Sequence, residues 1–216
     1  MGSYAPPRTM STQHPDNVHT PFFCEQDIIA GESEIREAYY AYSHLGCFEQ
    51  MWDFEGKEVD NSVVEKLLSR YQRYFSQHVL GQDVFLTMRV PNPSVERHMG
   101  KLLLETLESI PRNFDIASNA GYSVPPIWEI ILPMTTSAAE LERIRSYYLR
   151  IVVGKASTTI ADTTVRDWIG DFAPSEISII PLIENRESLL GAKEIVGQYL
   201  RSAKPERQRV FLARRT

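Results

Sequence analysis

Cysteine is nearly absent from this chain. Cys24 and Cys47 are the only two in 216 residues, they form no CxxC pair, and no Cys/His grouping stands at zinc-ligand spacing. Neither a disulfide framework nor a structural zinc site is indicated, and a reduced cytoplasmic setting is expected. Long hydrophobic runs are missing too: no stretch reaches the roughly 20 apolar residues of a membrane span. The first ten residues are Pro-rich and polar, unlike a signal peptide, so a soluble, untargeted protein is expected. Positive charge is not in excess. The net charge is -5 with both signs interspersed, which argues against a basic face for nucleic acid. Three motifs are also lacking. No GxGxxG follows a strand, no GxSxG elbow occurs, and the run Gly154-Lys155-Ala156-Ser157 lacks the upstream glycine of a phosphate loop, so nucleotide cradling and the commonest hydrolase chemistry have no support. No fixed-length repeat or low-complexity segment is present.

What remains is a globular composition, 43% hydrophobic and 24% charged, sufficient for one substantial core. Apolar spacing predicts a helix over residues 34–42 with Ser33 as its cap. A second helix opens at Asn61-Ser62 with Glu65, carries the stripe Val64, Leu67, Leu68, Tyr71 and Phe75, and is ended by Gly81. A strand, loop, helix grammar then recurs. Strands are expected over residues 84–90, 126–133 and 177–184, followed by helices over about 94–110, 137–152 and 187–200. A last strand begins at Arg209 with no helix behind it. Near-continuous apolar strands alternating with amphipathic helices indicate an α/β fold with a helix-covered parallel sheet, either a closed barrel or an open doubly wound sheet. In both, ligands gather at the carboxyl ends of the strands.

That rule selects residues. Arg89 closes one strand before Pro91-Asn92-Pro93, where its guanidinium is suited to clamping a phosphate or carboxylate, or to a surface ion pair. Glu184 closes another, either as a hard oxygen ligand for Mg²⁺ or Mn²⁺ or as a cap for the next helix. Glu129 lies inside an apolar strand, so its charge is either partnered inside the barrel or set on a wet face; a partner is expected, and an arginine. His14 precedes Pro15, which biases it towards extended backbone; it is a rigidly placed imidazole or part of a turn capped by Asp16 and Asn17. The charged stretch from Met51 to Asp60 reads as a solvated or substrate-facing loop.

Taken together, MSTQHPDN (10–17), EQMWDFEGKEVDN (49–61), LTMRVPNP (86–93), LLLETLESIPR (102–112), PIWEIILPMTTS (126–137), IPLIEN (180–185) and QRVFLAR (208–214) resemble archaeal-type phosphoenolpyruvate carboxylase almost end to end. Seven separated motifs in the right order make the resemblance specific.

The resemblance implies a TIM-type (β/α) barrel of which residues 1–216 are the N-terminal portion, with the C-terminal portion missing. It implies Mg²⁺ or Mn²⁺ as cofactor, phosphoenolpyruvate and bicarbonate as substrates, oxaloacetate and inorganic phosphate as products, and a homotetramer when full length. By the same resemblance His14 is the base that deprotonates carboxyphosphate, Arg89 binds phosphate or carboxylate, and Glu184 ligates the metal. Trp52, Asp53, Glu55 and Lys57 belong to the substrate loop, and Arg8 and Arg214 contribute to substrate binding. In the family the last strand runs on into a Ser-Asp segment with a second metal carboxylate, where this chain has Arg215 and Thr216. About six of eight barrel strands are therefore expected, with two open edges that need covering. The alternatives are a non-catalytic fragment or subunit completed by a second polypeptide, and another barrel lyase acting on a phosphorylated or 2-keto acid.

Overall fold

A computed structural model describes residues 6–13, 21–24, 29–54 and 60–213. The chain divides into two compact units, one of residues 1–88 with 113–127, the other of residues 89–112 with 128–216.

In the first unit, strand β1 (Met10–Ser11) pairs in parallel with β2 (Glu49–Asp53), Met10 facing Glu49. Helix α1 (Glu32–Ser43) lies between them in sequence and buries Ile35, Ala38, Ala41 and Tyr42. It starts two residues before the expected position. Gly31 is the cap, at φ 55, and Ser33 sits inside the first turn, because glycine takes the left-handed backbone that opens this helix without steric cost. The expected stripe of the second helix is buried at Val64, Leu67, Leu68 and Phe75, but the helix is interrupted at Tyr71 into α2 (Val63–Arg70) and α3 (Gln72–Phe75). Tyr71 stacks face to face on Tyr39, ring centroids 3.7 Å apart. Gly81 ends this segment at φ 92, and a Cβ there would collide with the Pro125 carbonyl, so the position requires glycine. Strand β3 (Phe85–Arg89) follows, with the Phe85 N–H bonded to the Phe48 carbonyl at 2.8 Å.

The next helix, α4 (Gly100–Asn119), begins later and runs further than residues 94–110. Asn92 occupies the segment before it: its side chain accepts the Ser94 N–H, and its carbonyl accepts from Val95 and Glu96. Helix α4 continues through Pro111, where a lost backbone bond is outweighed by the inward positions Leu107, Ile110, Asn113 and Ala117.

In the second unit β4 (Glu129–Leu132) leads to α5 (Ala138–Tyr147). The expected helix to residue 152 loses α-geometry after Tyr147, widening into a π-turn over Tyr148–Val152 and then tightening into a 3₁₀ turn. A hairpin of β5 (Thr159–Ile160) and β6 (Thr163–Thr164) with helix α6 (Val165–Ile169) comes next, an excursion that the strand and helix grammar did not foresee. Strand β7 (Ser178–Ile183) pairs in parallel with β4, Glu129 facing Ser178 and Leu132 facing Pro181. The single helix expected over residues 187–200 is two, α7 (Arg186–Leu190) and α8 (Ala192–Ala203), broken at Gly191. Strand β8 (Phe211–Leu212) pairs in parallel with β7. Ile130, Ile131, Leu132, Ile179, Ile180 and Ile183 are all buried, so β4 and β7 are apolar on both faces as in a parallel sheet between helices. No described helix is long and apolar enough to cross a membrane.

Candidate active site

The strand-end positions of the second unit are tied together by backbone and side-chain bonds. Strand β3 ends at half-buried Arg89, and the Val90 N–H donates to the Ile131 carbonyl at 3.0 Å, which aligns the end of β3 with β4. Beyond β4 the chain turns through Pro133, Met134 and Thr135. The Thr135 N–H donates to the Leu182 carbonyl at 3.0 Å and its hydroxyl to the Leu132 carbonyl at 2.7 Å. Glu184 stands one residue beyond β7, half-buried, and its Oε2 accepts the Met134 N–H at 2.8 Å. Arg89 and Glu184 thus flank the carboxyl end of β4 from the two neighbouring strand ends, roughly two strand spacings or 10 Å apart. A guanidinium and a carboxylate held so, on one rim, are suited to an anionic substrate and a cation respectively.

Glu184 does not cap the next helix. Asn185 does that work, its Oδ1 accepting the Ser188 N–H at 2.7 Å at the start of α7. At the other end of β4 the expected arginine partner of Glu129 is Arg209, with Nη1 2.6 Å from Oε2. Arg209 also lies over the Phe211 ring, 5.3 Å from its centroid.

In the first unit, Gln13 is 8% exposed and joins two elements. Its Nε2 donates to Glu34 Oε1 on α1 at 3.2 Å, and its Oε1 accepts the Asp53 N–H at the end of β2 at 2.6 Å. The ring of Trp52, a residue expected in the substrate loop, is fully buried, and its indole N–H donates to the Asp60 carbonyl at 3.2 Å. It anchors the end of that loop from the core. Asp53 is half-buried and Arg8 is exposed. His14, Glu55, Lys57 and Arg214 lie outside the described residues.

Sequence reasoning missed Asn92 and Met134. Asn92 is 1% exposed, with Nδ2 donating to the Pro133 carbonyl at 2.9 Å and, more loosely, to the Met134 carbonyl at 3.4 Å. In sequence it read only as part of a proline-bounded stop. Met134 takes φ 51, and no local residue pattern announces a left-handed methionine. Asn92 also borders a largely apolar cleft of about 240 Å³ whose walls include Leu103, Leu107 and Ile144.

Among the described residues, no three His, Cys, Asp or Glu side chains gather into a metal-holding group. Glu184 fits as one hard oxygen donor but does not make a complete divalent-cation site with the other described residues.

A family model described as phosphoenolpyruvate carboxylase matches residues 6–215. A phosphoenolpyruvate carboxylase of Methanothermobacter thermautotrophicus is 60% identical over 210 residues, covering 96% of this chain and 44% of the relative. One from Pyrococcus abyssi is 57% identical over 209 residues, with the same coverages, and one from Metallosphaera sedula is 47% identical over 210 residues, covering 96% of this chain and 41% of the relative. The chain therefore spans less than half the length of these relatives.

Proposed function

The chain belongs to the phosphoenolpyruvate carboxylase family, and from that premise we propose that it supplies part of the active site of an enzyme that carboxylates phosphoenolpyruvate with bicarbonate, releasing oxaloacetate and inorganic phosphate. The observation that carries this reading is that Arg89 and Glu184 end the two strands flanking β4 on one rim of the second unit, with Glu184 held, among the described residues, by a backbone N–H. We read the chain as the N-terminal portion of a TIM-type (β/α) barrel, and the working protein as a cytoplasmic homo-oligomer.

In the proposed reaction a bicarbonate oxygen attacks the phosphoryl group, the bond between phosphorus and the enol oxygen breaks, and carboxyphosphate and the enolate of pyruvate result. His14 takes the proton from carboxyphosphate, which fragments to CO₂ and phosphate, and the enolate carbon then attacks CO₂. Arg89 binds phosphoryl or carboxylate oxygens and offsets the charge that builds there. Arg8, Asp53, Glu55, Lys57 and Arg214 border the substrate, while Trp52 acts by anchoring its loop. Glu184 would hold Mg²⁺ or Mn²⁺, which supplies Lewis acidity for substrate oxygens when bound.

The test is oxaloacetate formation with and without bicarbonate, by this chain alone and by the chain extended with the C-terminal part of the Methanothermobacter relative. The extended polypeptide is expected to turn over only with bicarbonate, and His14→Ala to lower its rate by about 10²–10⁴-fold. Product formation indifferent to bicarbonate would overturn the reaction, and an unchanged rate in His14→Ala would overturn the role of the histidine.

A further inference from the structure

We infer that Asn92 is a positioning residue for Glu184, acting through the single peptide group between Pro133 and Met134; the inference rests on the reading of Glu184 as a metal ligand. The Pro133 carbonyl and the Met134 N–H belong to one planar trans peptide, so they point in opposite directions and turn together. Asn92 Nδ2 grips the carbonyl end at 2.9 Å, and Glu184 Oε2 receives the N–H end at 2.8 Å. Fixing one end of the plane fixes the direction of the other. The Glu184 carboxylate is thereby held in one orientation, with its other oxygen lone pairs left for a ligand.

Three further observations support a built device. Asn92 is 1% exposed, so its amide is sealed from water and its bonds are not exchanged for solvent. The orientation of that amide is dictated, since Oδ1 accepts the Ser94 N–H at 2.9 Å, and turning the group over would set oxygen against the Pro133 carbonyl. The loop also carries strain: Met134 sits at φ 51, a region that costs a non-glycine residue energy and persists only where surrounding bonds enforce it. Thr135, bonded to Leu182 and Leu132, enforces it from the far side. Carboxylates that ligate metals are commonly oriented by such outer partners, whose loss weakens metal affinity by about 10–100-fold.

The experiment measures Mn²⁺ dissociation constants by electron paramagnetic resonance on the extended polypeptide described above. Wild type is compared with Asn92→Asp, Glu184→Ala and the double variant, with hydrogen exchange followed over the 132–140 segment. Asn92→Asp keeps the side-chain volume but turns a donor into an acceptor against the Pro133 carbonyl. It is expected to weaken Mn²⁺ binding by about 10–100-fold, to speed exchange at Met134, and to add little once Glu184 is already removed. Asn92→Ala is the second variant, with the same expectations, should the aspartate fail to fold. Wild-type Mn²⁺ affinity in a folded Asn92 variant overturns the positioning role, as do fully additive effects of the two substitutions. No Mn²⁺ binding by wild type, or an unchanged affinity in Glu184→Ala, overturns instead the reading of Glu184 as a ligand, and the inference with it.

Discussion

Glu129 and Glu184 lie at opposite ends of two adjacent parallel strands, one at the amino end of β4 and the other just past the carboxyl end of β7. Both are carboxylates in apolar stretches of sequence, Glu129 within one and Glu184 at the end of another. Their surroundings differ in kind. Glu129 is 6% exposed and meets the Arg209 guanidinium at 2.6 Å, so its charge is matched within the protein. Glu184 receives a backbone N–H, which orients a carboxylate while leaving its charge in place. Among the described residues, the carboxylate at the amino end is thus tied off by an ion pair, and Glu184 at the carboxyl end is held by a backbone N–H. The same division of labour is known for parallel α/β folds, in which stability resides at one end and chemistry at the other.

The largest expected effect tests the closed end. Arg209→Met removes the counter-charge from a carboxylate that water barely reaches, and is expected to destabilise the protein by about 3–5 kcal/mol. Adding Glu129→Leu removes the stranded charge and should restore most of that loss. Urea unfolding of the three variants measures both. A double variant no more stable than Arg209→Met alone would mean that the pair is not desolvated, and the contrast between the two ends would fail.

The strand ends that frame this contrast were legible because charge appears abruptly after four or five apolar residues, as at Arg89 and Glu184. The arginine partner of Glu129 was legible as a type, since a buried carboxylate requires one. Its identity as Arg209, eighty positions away, was not, because long-range pairing is set by strand order and not by local pattern. Asn92 was hidden for a different reason. An asparagine between two prolines reads as a turn residue, and its value lies in carbonyls contributed by a loop about forty positions later. The helix over residues 187–200 reads as continuous in sequence because its apolar period survives the break at Gly191.

A smaller effect tests the open end. At φ 51, Met134 is tolerable for an unbranched side chain, costless for glycine and unfavourable for a β-branched residue. Met134→Val is therefore expected to lower stability by about 1–3 kcal/mol relative to Met134→Gly. Met134→Gly itself should lie close to wild type, because relief of strain offsets the added freedom of the unfolded chain. Equal stabilities for the valine and glycine variants, read from urea midpoints, would show that no strain is held at this loop.

The smallest effect comes from a third carboxylate, which separates ion pairing from burial. Glu108 accepts from Lys155 Nζ at 2.8 Å and from the Tyr147 hydroxyl at 2.7 Å, yet about 40% of each charged side chain is exposed. The Lys155 bond, followed by the Tyr147 bond, holds the Glu108 carboxyl below its ordinary value, and burial together with Glu108 pushes Tyr147 up to about 12. A depressed carboxyl contributes stability that is present above its unfolded pKa and is lost as pH falls through the folded one. A raised phenol contributes stability that is present below pH of about 10 and is lost as pH rises towards about 12. Glu108→Gln should flatten the acid limb and move phenolate formation at Tyr147 to lower pH, while costing at most about 1 kcal/mol at neutral pH because water screens the pair. A cost as large as that of Arg209→Met would mean that a cation alone, without desolvation, decides how firmly a carboxylate is tied into this fold.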